Sequence, residues 1–302
     1  MKLTAEQIDR FEKEGFLVVR QALGDADLDP VIEEYEAHIE RRAGELKVEG
    51  KISDIHAEAP FDRRLALISR ECDEIYPELD IMRLRGKESF AFLGNDNLLD
   101  MVEAFVGPEL TCSPIQHIRS KLPGGLAPRG SDQHVAPWHQ DAGVTWEEAD
   151  PVFILTVWLP LSPARPENGC LQVIPRTQGT GVRMHVIRAG KGTVITDEDM
   201  PDAEPMTLPM DKGDVLFLHK ETPHRSTPNR SDTIRWSMDL RYQKTGTPTG
   251  RPFHPDFVAR SRTNPDSVLT DWAEWDRLWA AALEKAAVDK PRAHRWESVP
   301  AK

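Results

Sequence analysis

Cysteine is scarce in this chain: Cys72, Cys112 and Cys170 are the only three, and none belongs to a CxxC pair. An odd number at wide spacing supports neither a disulfide framework nor a thiolate zinc site, and it fits a reducing compartment such as the cytoplasm. Long hydrophobic runs are missing too. The longest, Val152 to Leu161, is too short to cross a bilayer. The opening stretch MKLTAEQIDRF has no continuous apolar core, so neither a secretory leader nor a membrane anchor is expected. Positive charge is in deficit, with 38 Lys and Arg against 50 Asp and Glu and a net charge of -12. Such a chain repels nucleic-acid phosphates and anionic membranes, which leaves a small-molecule substrate as the expected partner of a monomer or homodimer. No repeat, low-complexity tract or linker divides the 302 residues, so one domain is expected over 1–302.

Two textures follow one another along the chain. Residues 1–109 read as a mainly helical support. Thr4 is placed to cap a helix over Ala5 to Glu14 that Gly15 ends, and GFLVVR continues as a strand. Asp29-Pro30 reads as an N-cap and first helical residue, followed by Ile32, Tyr35 and Ile39 on one stripe, with further helices over Pro60 to Arg70 and Asn97 to Phe105. Residues 110–245 change character: FILTVWLPL, CLQVIP, GDVLFLH and TIRWSMDLRY are short apolar runs parted by Gly, Pro, Asn and Asp, the pattern of an antiparallel sandwich or barrel. In residues 246–302, Asp271 to Val288 forms a helix with Trp272, Trp275 and Trp279 on one face, which must be buried against the β core or a second copy.

The stretch WHQDAGVTW, residues 138–146, sets His139 two positions from Asp141. In extended backbone alternate side chains share a face, so the two point the same way while Gln140 points opposite. Two histidines and one carboxylate on one face of an ion are the ligand set of non-haem Fe(II) oxygenases, so a second histidine is required. The HxD tripeptide alone is common by chance, and position has to discriminate. A hairpin turning at Asn229-Arg230 would set His224 opposite Arg235, about 5 Å apart at Cβ. A ligand histidine beside a guanidinium suits a 2-oxoglutarate site, because the far carboxylate of the keto acid needs a planar bidentate partner. His219 lies an odd number of residues from His224 and faces the other way. It reads as a core or supporting histidine, as do His117, His134 and His185.

LTAEQIDRFEKEGFLVVR, WHQD, VWLPLSPARPENGCLQVIPRTQ, GDVLFLH and PHRSTPNRSDTIR occur here in that order, with 83 positions from Asp141 to His224. In these pieces the chain resembles the phytanoyl-CoA dioxygenase family of Fe(II)/2-oxoglutarate-dependent oxygenases, over most of residues 1–245. The resemblance implies a mainly β fold with flanking α, a double-stranded β-helix (jelly roll, cupin-like) core under a helical N-terminal layer and a C-terminal helix. It implies that His139, Asp141 and His224 bind Fe(II), that Arg235 anchors 2-oxoglutarate, that O2 is the other cosubstrate, and that Ser226, Trp158, Gln116 and His117 line the cosubstrate pocket. Because Asp141 is a carboxylate, no coordination position is freed for chloride. Hydroxylation of an unactivated C–H is therefore favoured over halogenation, with desaturation or ring formation open to the same ligands.

The loop KLPGGLAPRGSDQHVAP, residues 121–137, precedes the ligands and reads as a lid or substrate wall. Its Lys121 and Arg129 either pair with an anionic group or, the favoured reading, are solvated surface charges. No dense basic cluster supports an acyl-CoA substrate. The competing classes are a non-catalytic metal-binding jelly roll and a zinc hydrolase using the same ligands.

Overall fold

The computed structural model describes residues 1–126, 135–292 and 295–300. Helix α1 (Ala5–Glu14) opens on a capping box: the Thr4 hydroxyl accepts from Gln7 N at 3.2 Å and the Gln7 side chain accepts from Thr4 N at 2.9 Å. Gly15 closes it in the left-handed region and β1 (Phe16–Val19) follows, as expected. Helix α2 (Asp25–Val48) departs from expectation by starting before Asp29. Asp27 accepts from Gly24 N at 3.0 Å and supplies the N-terminal acceptor that Asp29 was expected to give. Pro30 is therefore inside the helix, where it removes one intrahelical donor, the N–H that would otherwise reach Ala26 O. The buried stripe runs through Leu28, Val31, Tyr35, Ile39, Ala43 and Leu46, with Ile32 at its half-buried margin. Helices α3 (Phe61–Ser69), α4 (Ile81–Leu84), α5 (Lys87–Leu93) and α6 (Asp96–Val106) complete the N-terminal layer.

The strands are β2 (Glu109–Cys112), β3 (His117–Lys121), β4 (Ile154–Pro160), β5 (Leu171–Val173), β6 (His185–Arg188), β7 (Gly192–Ile195), β8 (Met206–Leu208), β9 (Val215–His219), β10 (His224–Ser226), β11 (Arg235–Lys244), β12 (Phe257–Ser261) and β13 (Ser298–Val299). A seven-stranded sheet takes the order β1-β9-β4-β11-β2-β12, with β3 also paired to β11; β10-β5-β8 form a second sheet and β13-β6-β7 a third. All pairings are antiparallel except β13 with β6. This is the antiparallel, helix-flanked architecture expected.

Period-two alternation sorts the large sheet into two faces. Leu155, Val157, Leu159, Val215, Phe217, Trp236, Met238, Leu240 and Tyr242 pack with the helices in one core, where Trp236 stacks on Phe61 and meets Tyr35 edge-on. The opposite face contributes Phe16, Trp158, Leu216 and Leu218 to a smaller core shared with Leu171, Val173 and Leu208 of the second sheet. The functional cavity opens between these two sheets.

Two further expectations are corrected. His224 and Arg235 are not hairpin partners: β10 pairs with β5 in the second sheet, whereas β11 pairs with β2, β3 and β4 in the first. Between them Asn229 donates to Lys121 O at 2.9 Å and to Thr233 O at 2.7 Å, which fixes a crossing from sheet to sheet in place of a two-stranded turn. On helix α7 (Trp272–Asp289), Trp275 and Trp279 are fully buried, but Trp272 is 37% exposed and donates its indole N–H to Arg85 O at 2.8 Å. Trp275 docks on Phe90 of α5 and Trp279 on His254, so the helix covers the N-terminal layer and the edge of the large sheet.

Candidate metal centre and cosubstrate pocket

His139 and Asp141 lie just outside the second sheet, and His224 begins β10. The backbones of the two histidines exchange hydrogen bonds, His139 N to His224 O at 3.1 Å and His224 N to His139 O at 2.9 Å, so both imidazoles project from one ladder step. Their rings lie 4.3 Å apart between centroids. Each Nδ1 faces a carbonyl that can only accept: Pro137 O at 2.8 Å for His139 and Thr222 O at 3.0 Å for His224. Nδ1 therefore carries the proton and Nε2 presents a lone pair. Both Nε2 atoms lie 3.9 Å from Asp141 Oδ1. Among the described residues these three form the group able to hold an ion, with donor atoms within 4.8 Å of one another. Burial, reinforced by the neighbouring His224, pushes the His139 imidazole down to about 4, so it is neutral and able to ligate at physiological pH. Two nitrogens and a carboxylate oxygen, converging with open positions around them, suit a divalent first-row metal.

Burial alone would keep the Asp141 carboxyl protonated, but the Arg241 guanidinium and the two histidines hold it well below the usual carboxylate range. Arg241 Nη2 donates to Asp141 Oδ1 at 2.5 Å, and the Thr156 hydroxyl donates to Oδ2. Arg241 stays charged despite its burial because Asp141 and Asp239 face it. This orienting pair was missed in the sequence reading, although a signal was present. Arg241 is an even number of residues from Arg235 on one strand, so the two must share a face.

That face lines a cavity of about 440 Å³ holding His139, Asp141, His224, Ser226, Trp158, Arg235, Asp239 and Arg241. Arg235 is buried, donates Nε–H to Gly169 O at 3.2 Å and also donates to the Ser237 hydroxyl, and lies over the Trp158 ring at 5.4 Å. Its register partner across β3 is Lys121. Lys121 is only 3% exposed, which overturns its reading as a solvated charge; Nζ donates to Ser226 Oγ and Thr227 O, both at 2.6 Å. Burial, with Arg235 beside it, pushes Lys121 down to about 6. Gly169 leaves room for the Lys121 stem, since a Cβ there would sit 2.3 Å from Lys121 Cδ.

Alternation decides the remaining candidates. His117, Arg119 and Lys121 face the cavity, but His117 is held by Asp80 at 2.8 Å. Gln116 is not among the lining residues: fully buried, it accepts from Cys112 Sγ at 3.7 Å, so its expected cosubstrate contact is not supported. His219 faces the helices against Phe153, and its Nδ1 accepts from Glu221 N at 3.1 Å. His185 accepts from Gln140 N at 3.1 Å, between the two ligand positions. Arg129 and His134 lie outside the described residues, as does most of the expected lid.

The family model for phytanoyl-CoA dioxygenase (PhyH) matches residues 11–237. The phytanoyl-CoA dioxygenase, peroxisomal, of Rattus norvegicus is 26% identical over 252 residues, covering 80% of this chain and 68% of that protein. The phytanoyl-CoA dioxygenase domain-containing protein 1 of Danio rerio is 36% identical over 104 residues, 32% of this chain and about a third (35%) of its own length. Among solved structures, the non-heme monooxygenase ThoJ in its apo form superposes with a TM-score of 0.60 at 18% identity, over 93% of this chain and 98% of its own. The epimerase SnoN in complex with Fe3+, alpha ketoglutarate and nogalamycin RO gives 0.54 at 17% identity, over 82% and 87%. These likenesses carry the shared fold. The family match spans His139, Asp141, His224 and Arg235, and with it the chain belongs to the phytanoyl-CoA dioxygenase family of non-haem iron, 2-oxoglutarate-dependent oxygenases.

Proposed function

We propose that this protein hydroxylates an unactivated C–H of an anionic small molecule, using Fe(II), 2-oxoglutarate and O2 and releasing succinate and CO2. The observation that carries this reading is the pair Arg235 and Lys121, buried side by side in the cavity that also holds His139, Asp141 and His224. A purely structural metal or a zinc hydrolase has no use for a buried guanidinium with a buried, proton-accepting lysine beside it. When bound, the iron and keto acid supply the oxidising chemistry.

The chain's own residues supply the rest. His139, Asp141 and His224 hold the metal, and Arg241 with Thr156 keeps the carboxylate of Asp141 in one orientation. Arg235 offers its fork to the distal carboxylate of 2-oxoglutarate, Lys121 and Ser226 lie alongside, and the Trp158 ring forms a wall. Ile115, Val144, Leu171 and Leu218 keep the interior apolar, which strengthens the charge pairing and excludes side reactions. Arg119, Lys191 and Arg251 add positive charge to the lining, where Asp141 and Asp239 are the carboxylates. That excess favours a substrate bearing a carboxylate or phosphate.

Residues 1–302 act together as one catalytic domain in this reading. Cytoplasmic residence fits three free cysteines, two of them buried. Among the described residues no helix is long and apolar enough to cross a membrane. The test is anaerobic titration with Fe(II) and 2-oxoglutarate, followed through the visible charge-transfer band of the chelate. A screen of matched acids, amides and amines scored by succinate release then tests the substrate class. Absence of the band sinks the cosubstrate reading; stimulation by amines over acids sinks the anionic one.

A further inference from the structure

The C-terminal segment beyond α7 returns to the metal centre. The indole N–H of Trp296 donates to Gly143 O at 2.5 Å, and Arg295 Nη2 donates to Ala142 O at 3.1 Å. These are the two carbonyls immediately after Asp141. Arg295 is itself anchored, Nη1 to Asp150 Oδ1 at 2.7 Å, with its guanidinium 4.6 Å from the Trp296 ring centroid. Its side chain is only 4% exposed. The Trp296 ring packs on His185 at 5.2 Å, and that imidazole accepts the Gln140 N–H between His139 and Asp141. Finally β13 adds to β6 in parallel, with Ile187 N donating to Glu297 O at 2.9 Å.

We infer that Arg295 and Trp296 are positioning residues for the metal: a C-terminal strap that fixes the turn carrying Asp141 and so sets metal affinity. The inference rests on the assignment of His139, Asp141 and His224 as ligands. The physical argument is pre-organisation. On the strand side, His139 is fixed by its ladder step with His224 and Ala142 N donates to Lys220 O at 2.9 Å. The outward carbonyls of Ala142 and Gly143 have no sheet neighbour and take their order from the strap, helped by Thr145 Oγ1 on Ala142 O at 3.1 Å. Gly143 is needed for the close fit, because a Cβ there would sit 2.5 Å from His185 Nε2. Partners one step removed from a metal typically change its affinity by roughly 10- to 100-fold.

The test is an anaerobic Co(II) titration of the full chain, read by visible absorbance without cosubstrate, for wild type and for Arg295→Gln, Arg295→Lys, Trp296→Leu and Trp296→Phe. Arg295→Gln and Trp296→Leu should each weaken Co(II) binding roughly 10- to 100-fold. Trp296→Phe keeps the stack on His185 while losing the N–H and should fall between, and Arg295→Lys should recover part of the loss. The 2-oxoglutarate affinity of metal-saturated variants should be unchanged, since Arg235 and Lys121 lie on the other sheet. Thermal midpoints identify folded variants, and Trp296→Phe serves as the test if Trp296→Leu does not fold. Wild-type affinity for Co(II) in folded Arg295→Gln and Trp296→Phe, whatever their thermal midpoints, overturns the inference. Failure of the wild type itself to bind Co(II) would instead overturn the ligand assignment.

Discussion

The two faces of the seven-stranded sheet are built from the same strands and do opposite work. On β11, Trp236, Met238, Leu240 and Tyr242 turn toward the helices, while Arg235, Asp239 and Arg241 turn into the cavity. The helix face gains stability from area removed from water, about 25 cal/mol per Å² of apolar surface. The cavity face does the reverse: it holds charged groups away from water, at a cost that Asp141 and Asp239 offset for Arg241 and that a bound anion would further offset for Arg235. One strand thus carries folding energy on even positions and recognition on odd ones.

Substitutions on the two faces should separate cleanly. The largest effect is expected at the ligands. His139→Ala, Asp141→Ala and His224→Ala should each abolish iron-dependent turnover with the circular dichroism spectrum intact, whereas His219→Ala should still bind metal. Loss of metal in His219→Ala but not in His224→Ala would reverse the assignment.

Next comes Arg235→Gln. Truncating one partner of a buried charge pair costs on the order of 2–4 kcal/mol. At 1.4 kcal/mol per tenfold, 2-oxoglutarate binding should weaken roughly 30- to 1000-fold, with metal affinity little changed. Arg235→Lys should recover only part, being unable to reproduce the fork. Unchanged affinity in the iron-loaded variant would move the anchor to Arg241 or Arg119.

On the other face, Met238→Ala should lower stability by about 2–5 kcal/mol in denaturant unfolding, because the surrounding core relaxes only partly around the cavity left. Its metal and 2-oxoglutarate affinities, measured at low temperature, should stay near wild type. A variant that folds normally but binds poorly would break the separation of the two faces.

The smallest effect is a pH dependence. Lys121 is depressed to about 6 in the free protein, and a bound carboxylate raises it. Binding then takes up a proton above pH 6, so 2-oxoglutarate affinity should fall as pH rises from about 6, by at most tenfold per unit. Calorimetry in buffers of different ionisation enthalpy measures that proton. Lys121→Met should flatten the profile; a slope unchanged in that variant would assign the proton elsewhere.

Local signals were read well because their physics is local. The Thr4 cap, the Gly15 stop, the strand runs and the HxD spacing each depend on neighbours within a few residues. The hairpin between His224 and Arg235 failed because Asn229 ties the chain to Lys121, a contact 108 positions away that lies outside the short-range pattern. Lys121 was misread because a lysine beside Gly and Pro looks solvated until its register with Arg235 is known. Arg241 was within reach, by counting two residues at a time along RWSMDLR. The strap of Arg295 and Trp296 left no sequence signal, since its partners, the carbonyls of Ala142 and Gly143 together with Asp150 and His185, lie far away in the chain.

The reciprocal backbone bonds between His139 and His224 have a kinetic meaning. The two imidazoles come together only when the long excursion between them has closed, and every residue of that loop adds to the entropy of closure. Such non-local pairing forms late in folding. A refolding chain should therefore acquire tight metal binding in its slowest phase, after the α1 cap and the helical layer are in place. The ion would then act as a latch on a finished structure, and not as a seed around which the structure grows.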